Sequence, residues 1–546
     1  MAARKHPKLR YLAGAMVFLL MGAGLSACKT MPEAMNNVPF IASLTQKDLG
    51  PLDALPPPKP RAWPDAQQDV INQRARGSGL IHAPEARKYL NMLHARIKAA
   101  AGVPDWPGDV HIAAQSSLNA YVTAAGNIYI HLPWLTSVES EDELVSLLAH
   151  EFAHVYLHYH QLEGAIDAAD TTADLLTLGL ALATQSAQAT GWSQVDTLKV
   201  SYDLGKTLAI ALYGQSEEIA ADRVALNLAH KMGYSYEHGP KAFLERLSGW
   251  EETNEVIAAK KQEALLAALR EKTLAESERR RPKTNNELSN SMNGVQAEVK
   301  AVINVAGTQL FADIGKAFSN LTSSHPNTLK RQDTLARLAD ATPELQADRA
   351  AVTAPLKAML ADRRTAQIVK NYALAYQALD APQSPQALGW ARQAITGPTN
   401  THLVPLLALF TVASSQRTPV RDLPRDLTQL LEANINSDND RAWYAYTERS
   451  TRLKQRGQRA DATRVLERGM AHFFQAEEIM PFAISYYGET EGWAKAKETA
   501  QDCSRRFPIA ARRCNIAALS PSERAAVKQQ EKLRADRLVD KVIKKP

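Results

Sequence analysis

Four histidines and one glutamate lie within the fourteen residues LLAHEFAHVYLHYH, at positions 147–160. His150 and His154 are four residues apart, and Glu151 directly follows the first of them, so the three match the pattern H-E-x-x-H. Residues four apart share one face of a helix, where two imidazoles can bind one zinc ion while the glutamate between them activates a water molecule. The spacing therefore predicts a hydrolytic zinc site.

A catalytic zinc ion needs a third protein ligand as well as an open position. His158 lies eight residues after His150, about 12 Å along a helix axis, too far for both to bind one ion with bonds near 2 Å. His160 takes the third histidine position of H-E-x-x-H-x-x-G-x-x-H, but Leu157 replaces the glycine that would end the helix. Because leucine favours a continuing helix, we expect neither histidine to be the third ligand.

A second helix can supply the missing ligand. The segment GQSEEIAADRVALNLAHKMGY, residues 214–234, places Glu218 and Asp222 four residues apart and hence on one helix face. One carboxylate can reach the metal while the other accepts a hydrogen bond from a ligand histidine. The alternative is an ordinary acidic first turn with a helix cap.

Short β-type segments precede the histidine helix. The runs DVHIAA (109–114) and NAYVTAAGNIYIH (119–131) have strand character, and the second is interrupted by a Gly-Asn turn signal at Gly126 and Asn127. Ser140, followed three residues later by Glu143, is typical of a helix N-terminus. We therefore expect the histidine helix to follow a strand pair.

These motifs together resemble a known family. H-E-x-x-H is followed about sixty residues later by E-x-x-x-D in EEIAADR and then by SHPNTLKR at 324–331, and an NA strand precedes the active helix. This order is similar to that of the gluzincin peptidases related to the CAAX prenyl protease, and especially to their periplasmic branch, the BepA-type β-barrel assembly-enhancing proteases. The resemblance covers roughly residues 80 to 340.

The resemblance implies a role for each motif residue. His150, His154 and Glu218 would be the ligands of one Zn²⁺ per chain, and Glu151 would be the general base and acid. Asp222 would be the hydrogen-bonding partner behind a ligand.

Two further residues match the family's H-P-x-x-x-x-R segment. His325 would lie near the metal and gate it or stabilise the transition state, with Arg331 at the end of the same motif. The alternative for His325 is a histidine that caps a helix before Pro326.

The implied function is zinc-dependent endopeptidase activity on unfolded or misassembled envelope proteins, with a chaperone-like binding role. Substrate would lie extended along the GNIYIH strand and pair through its backbone. The helical repeats could also engage the outer-membrane assembly machinery. The alternative is a non-proteolytic repeat scaffold or chaperone with a latent metal site.

The N-terminal residues predict an exported lipoprotein. A basic segment, MAARKHPKLR, and a short apolar segment precede LSAC, which ends at Cys28. We expect residues 1–27 to be a signal peptide, Cys28 to carry lipid at the periplasmic face of the outer membrane, and residues 28–62 to be a Pro-rich tether. A plain signal peptide or an uncleaved anchor is the alternative.

Charge and cysteine usage are consistent with this compartment. Removal of residues 1–27 removes four basic and no acidic residues, so the formal charge falls from +6 to +2, and nucleic acid is not an expected partner. Cys503 and Cys514 remain, and in an oxidising compartment they predict one local disulfide; two buried thiols are the alternative.

The predicted fold class is mainly α. An α+β zincin-like peptidase domain with a small β-ribbon would span 63–345 and include a charged insertion at 251–300. A helical tetratricopeptide-like domain would span 346–520, followed by a basic helical tail at 521–546. The repeat prediction depends on an offset of 34 residues that aligns Leu453 with Tyr487 and Phe473 with Phe507; a generic helical bundle is the alternative. The Ala- and Leu-rich residues 163–213 are expected to be buried helix, or else a lid or membrane-facing hairpin.

Overall fold

The computed structural model describes residues 55–157, 215–253, 328–416 and 420–527, apart from positions 59, 78, 475 and 525, together with Leu52. Several predictions concern residues outside these ranges: Cys28, His158, His160, His325, the segment 163–213, most of the insertion at 251–300 and nearly all of the basic tail. Among the described residues, no helix is long and apolar enough to span a bilayer.

The N-terminal part of the described chain combines helices with one small sheet. Its elements are α1 (Ala66–Ala75), α2 (Pro84–Ala100), β1 (Val110–Ala113), β2 (Ala120–Val122), β3 (Ile128–His131), α3 (Leu132–Ser137), α4 (Glu141–Tyr156), α5 (Gln215–Lys231), a π-helix at Glu237–Lys241 that continues as helix over 242–253, and α6 (Thr328–Asp340). The mainly α prediction with a small β component is confirmed.

The three strands lie in the order β1-β3-β2, so β3 is central. β3 pairs in parallel with β1, with Val110 opposite Ile128, and antiparallel with β2, with Tyr121 opposite Tyr129. The predicted turn between β2 and β3 is present, and Gly126 adopts a φ of 86° there, a conformation that favours glycine. The expected strand pair is therefore part of a three-stranded sheet.

α4 begins as its sequence predicts and runs through the core. The Ser140 side chain accepts a hydrogen bond from the Glu143 N–H (3.1 Å), and the Glu143 carboxylate accepts one from the Glu139 N–H (3.1 Å). Every residue of α4 is buried, and the helix packs against α5, α2 and β2. Burial on all sides makes α4 a rigid support for the side chains that it carries.

The C-terminal part is entirely helical in the described residues. Its α-helices are α7 (Ala354–Ala361), α8 (Arg363–Asp380), α9 (Ala387–Ala394), α10 (Leu403–Ser415), α11 (Glu432–Ile435), α12 (Trp443–Gln455), α13 (Arg459–His472), α14 (Met480–Thr490), α15 (Trp493–Arg506) and α16 (Ala511–Ala517), with short 3₁₀ turns between some of them.

The second helices of two consecutive helix pairs in this part recur at the predicted offset of 34 residues, whereas α14 begins 37 residues after α12. α15 begins and ends 34 residues after α13, and short turns join α12 to α13 and α14 to α15. Gly469 lets α13 approach α12, because a Cβ at this position would lie 2.7 Å from the Tyr446 ring and 2.8 Å from the Trp443 ring. The assignment of these pairs to the tetratricopeptide class stays a prediction.

Cys503 on α15 and Cys514 on α16 form a disulfide, within an apolar cluster that also contains Ile484 and Ala500. The described residues from Pro57 onward belong to one compact unit, in which α1 packs against α12 and α2 packs against α7 and α8. The predicted boundary at 345/346 lies inside this unit, and the domain bounds stay predictions.

Candidate metal centre

His150, His154 and Glu218 converge in the buried space between α4 and α5. Their potential ligand atoms all lie within 4.8 Å of one another, and all three side chains are fully buried. The two Nε2 atoms are 3.1 Å apart, and each lies 3.4 Å from a carboxylate oxygen of Glu218. The structure therefore brings together the three residues that the sequence predicts as metal ligands.

These distances fit a four-coordinate metal ion. Two metal–nitrogen bonds of about 2.05 Å at the tetrahedral angle separate the nitrogens by about 3.3 Å, close to the distance observed. Two imidazole nitrogens and one carboxylate leave a fourth position open, which is the composition of a catalytic rather than a structural site.

Asp222 lies behind the ligand His150. Its Oδ1 is 2.8 Å from His150 Nδ1, the nitrogen that does not face Glu218. Hydrogen bonding at Nδ1 orients the ring and leaves the Nε2 lone pair for a metal. Glu218 thus faces the Nε2 atoms of the two histidines, while Asp222, four residues later, binds the Nδ1 atom of His150.

Arg331 on α6 joins both carboxylates. Its Nε and Nη2 donate hydrogen bonds of 2.7 and 2.6 Å to Asp222, and its Nη1 lies 3.1 Å from Glu218 Oε2. Burial alone would raise the pKa of Asp222, but Arg331 and His150 outweigh burial and lower it to about 2. Burial opposes the charge of Arg331 as well, yet the two carboxylates raise its pKa. The predicted motif residue Arg331 therefore contacts both Glu218 and Asp222, while His325 lies outside the described residues.

Glu151 follows His150 on α4 and is buried, with 1% of its surface exposed. It lies in the same helical turn as the two imidazoles, where a carboxylate can act on a water molecule near the ligands. The aromatic ring of Phe243 lies 5.7 Å from that of His150, and Trp134 packs on Phe243 at 5.6 Å. These rings make the surroundings of the site apolar, a feature that motif reading did not identify.

The first turn of α4 holds the helix in place through Asp142. This buried carboxylate accepts hydrogen bonds from the backbone N–H groups of Ser235 (2.9 Å) and Val352 (2.8 Å). The Glu141 N–H in turn donates to the Val352 carbonyl at 2.7 Å. The start of the active helix is thereby fixed to two distant segments of the chain.

The two neighbouring acids in this turn are also buried and also bind residues from distant segments of the chain. Glu141 accepts hydrogen bonds from the hydroxyl groups of Tyr89 and Tyr234, and Glu143 pairs with Arg246. The sequence predicted a cap here but gave no sign that all three acids are buried.

The end of α4 differs from the prediction. We expected Leu157 to continue the helix, but α4 ends at Tyr156 and Leu157 is its C-cap. Arg61 donates a hydrogen bond of 3.1 Å to the Val155 carbonyl, and its guanidinium stacks 3.4 Å above the ring of Trp63. A cation at the C-terminal carbonyls stabilises a helix end, so a tertiary contact overrides the modest preference of leucine.

The predicted substrate strand also needs correction. GNIYIH contains β3, whose two edges are already paired with β1 and β2, so a substrate cannot add to it. The outer edge of β1 is covered as well: Ile81 N–H donates to Ile112 O, and the Asn91 side chain binds both the N–H and the C=O of Val110. In the described part of the sheet, β2 is left as the edge strand, and it contacts α4.

Comparisons with known proteins agree with this geometry. The family model described as peptidase family M48 matches residues 84–339. The chain is 27% identical over 184 residues to a β-barrel assembly-enhancing protease of Escherichia coli (strain K12), which is 33% of this chain and 36% of that protein. It is 26% identical over 181 residues to the protein of the same description from Yersinia pestis, covering 33% and 36% of the two chains.

A putative β-barrel assembly-enhancing protease of Vibrio cholerae is 25% identical over 166 residues, covering 30% of this chain and 33% of that protein. The chain thus spans about a third of the length of the curated relatives that it matches. The resemblance inferred from the ordered motifs is confirmed, and its predicted extent of about 80 to 340 agrees with the matched residues.

Proposed function

We propose that this chain, whose residues 84–339 match the model of peptidase family M48, is a zinc-dependent endopeptidase of the bacterial envelope. The observation that carries the proposal is the buried cluster of His150, His154 and Glu218, with Glu151 between the two histidines in sequence. Zinc is favoured over other ions because two imidazoles and one carboxylate are a donor set that it commonly takes in hydrolases.

The mechanism assigns each side chain a task. His150, His154 and Glu218 would hold the ion, which supplies Lewis acidity toward a peptide carbonyl and toward water. Glu151 accepts a proton from the attacking water and passes it to the leaving amine nitrogen. Asp222, held by Arg331, keeps a proton on Nδ1 of His150 so that its Nε2 stays available as a ligand.

Substrate would bind as an extra strand on β2. In the antiparallel ladder Tyr121 pairs with Tyr129, so the backbone groups of Ala120 and Val122 point toward the outer edge. Backbone pairing selects extended chains with little regard for side chains. Unfolded or misassembled envelope proteins meet this requirement, and the relatives described as β-barrel assembly-enhancing proteases support a role in outer-membrane protein assembly.

Location and partners extend the same proposal. Lipid on Cys28 would hold the chain at the periplasmic face of the outer membrane, and the helical repeats would bind clients or assembly components. The alternative, a scaffold with a latent metal site, is not favoured, because a scaffold gives no reason to keep a buried ligand set together with Glu151.

Metal analysis combined with digestion of an unfolded protein tests the proposal. We expect the wild-type chain to bind one zinc ion and to cleave casein, and Glu151→Gln to bind zinc equally while cleavage falls by at least about 100-fold. Glu245→Gln, at an exposed position, is the matched control and should cleave normally. Cleavage by Glu151→Gln at the wild-type rate would remove Glu151 as the base, and a wild-type chain that binds zinc without cleaving casein would favour the scaffold.

A further inference from the structure

Two adjoining cavities form a cleft between the start of α2 and the start of α8, which we name the α2–α8 cleft. The larger, of about 670 Å³, is lined by residues from the N-terminal end of α8 and from the loop at 436–440. The smaller, of about 350 Å³, is lined by residues at the start of α2 and along the outer side of β1. His82 and Asn439 line both cavities. None of the proposed metal ligands lines the cleft, so it is a separate site.

Unpaired positive charge distinguishes this cleft. Arg74, Lys88, Arg363 and Arg364 line it, and none of them forms a salt bridge with another described residue. Arg74 is partly buried, and its Nε has no hydrogen-bond partner within the described part of the chain. Burial lowers the pKa of Arg74, while the nearby Asp440 raises it. An anionic ligand would accept the hydrogen bond that the Nε of Arg74 can still donate.

The principal acids of the cleft are already occupied. Asp109 pairs with Arg87 at 2.9 Å, and Asp362 accepts a hydrogen bond of 2.9 Å from the Thr365 N–H. The remaining partly buried acid, Asp440, accepts hydrogen bonds from the hydroxyl groups of Ser437 (3.2 Å) and Thr401, and its Oδ1 lies 3.4 Å from His402 Nε2. Asp438, which is 95% exposed, lies 3.9 Å from Arg441. With its acids engaged in this way, the cleft offers a ligand mainly basic side chains.

Two histidines lie near these arginines, and burial together with the positive charge of the arginines lowers the pKa of both. Burial lowers the pKa of His82, and Arg364, Arg74 and Arg87 lower it further against the opposing effect of Asp440. Burial likewise lowers the pKa of His402 to about 4, with His82 and Arg364 adding to the effect of burial. Both rings are thus neutral near pH 7, and the arginines supply the positive potential.

The neutral lining suits a polypeptide rather than a small inorganic anion. Besides Asn91, which is bound to Val110, four side-chain amides line the cleft: Gln367, Asn400, Asn436 and Asn439. An amide side chain both donates and accepts, so it can bind the N–H or the C=O group of a peptide backbone. The combined cavities are also far larger than a single phosphate or sulfate would need.

The geometry points to the α2–α8 cleft as a binding site for an acidic, extended segment of a partner polypeptide. Its carboxylates contact Arg74, Lys88, Arg363 and Arg364, and its backbone contacts the amide side chains. Because the lining comes from both the M48 domain and the C-terminal helices, a bound segment touches both parts at once. This site adds a recognition surface to the proposed peptidase and does not depend on cleavage.

Fluorescence anisotropy with a labelled peptide of Asp and Gly tests the inference on the full-length chain carrying Glu151→Gln, which prevents cleavage of the probe. The comparison variant is Arg363→Glu with Arg364→Glu, since acidic residues in the first turn of α8 are compatible with the helix. Arg464→Glu with Arg505→Glu is the matched control, because it changes the charge equally at two side chains that are 76% and 78% exposed outside the cleft. A peptide of Asn and Gly controls for charge on the probe.

We expect the Asp peptide to bind to the Glu151→Gln chain. The affinity of this chain for the Asn peptide, and that of the Arg363→Glu/Arg364→Glu variant for the Asp peptide, should be lower by about tenfold or more. The control variant should bind the Asp peptide within about twofold of the Glu151→Gln chain. Equal binding of both peptides, equal loss in both variants or no binding at all would overturn the inference. Binding of phosphatidylglycerol vesicles that requires Arg363 and Arg364, without binding of the Asp peptide, would overturn it in favour of an anionic lipid surface. Casein cleavage by the chain with Glu151 intact tests the proposed peptidase activity separately. The peptidase proposal and the proposed binding site can therefore be refuted independently.

Discussion

Oδ1 of Asp222 lies 2.8 Å from Nδ1 of His150, which connects a buried carboxylate on α5 to a ligand imidazole on α4. Arg331 holds the same carboxylate through two hydrogen bonds. Because Arg331 and His150 outweigh the effect of burial and lower the pKa of Asp222 to about 2, this carboxylate stays ionised across the physiological range. It can therefore fix the tautomer of His150 at all times.

Replacement of Asp222 by Asn should weaken metal binding by about 10- to 100-fold, the usual consequence of removing a carboxylate behind a ligand histidine. Competition with a chromophoric zinc chelator measures the affinity. Asp333→Asn, at an exposed position on α6, should leave it unchanged. Equal affinities for wild type and Asp222→Asn would mean that His150 is oriented by other contacts.

Replacement of Arg331 by Met should destabilise the fold by about 3–5 kcal/mol in the metal-free chain, because it leaves two buried carboxylates without their cation. Urea titration followed by tryptophan fluorescence gives the change in unfolding free energy. Arg337→Met, at an exposed position on the same helix, should change it by less than about 0.5 kcal/mol. A small effect of Arg331→Met would show that the carboxylates become protonated at little cost.

The metal cluster could be predicted because local geometry fixes most of it. Residues four apart share a helix face, which pairs His150 with His154 and Glu218 with Asp222. The meeting of the two helices was inferred from the need for a third ligand and from the family's motif order. Packing of α4 against α5 satisfies that need.

What the sequence did not predict depends on contacts between distant segments. Strand order places β3 in the centre, and no feature within GNIYIH distinguishes a central strand from an edge strand. The preference of Leu157 for a helix amounts to less than about 1 kcal/mol, and the contact of Arg61 with the Val155 carbonyl, which stabilises the end of α4, comes from a segment about ninety residues away. The backbone N–H of Val352, which donates to Asp142, lies 210 residues away, so no local pattern indicates that this acid is buried.

Acid should weaken the connection between the N-terminal segment and the C-terminal helices. Burial would raise the pKa of Glu478 above its usual 4.5, but Arg76 and Arg513 outweigh burial and lower it to about 2. A carboxylate whose pKa is lower in the folded state stabilises the fold above its unfolded pKa, and this contribution is lost as the pH falls from about 4.5 toward 2. We therefore expect a loss of roughly 3 kcal/mol at most over that range.

Urea titrations of wild type and Glu478→Gln at pH 6, 4 and 3 measure this loss. The difference in unfolding free energy between the two proteins should be greatest at pH 6 and should shrink as the pH falls. Glu498→Gln, at a side chain that is 72% exposed, serves as the control. If the unfolding free energy of the wild type exceeded that of Glu478→Gln by the same amount at pH 6 and pH 3, the expected titration of Glu478 would be contradicted.

The outer edge of β2 should be the surface that pairs with substrate. Val122→Pro removes a backbone N–H that points away from β3, and proline is tolerated in an edge strand at such a position. Loss of one substrate hydrogen bond of about 0.5–1.5 kcal/mol should lower kcat/KM for casein by about threefold to tenfold while zinc binding stays at the wild-type level. Val122→Ala retains the N–H and separates this effect from the loss of the side chain. If Val122→Pro folds and cleaves casein as well as Val122→Ala does, substrate does not pair with β2 at this position.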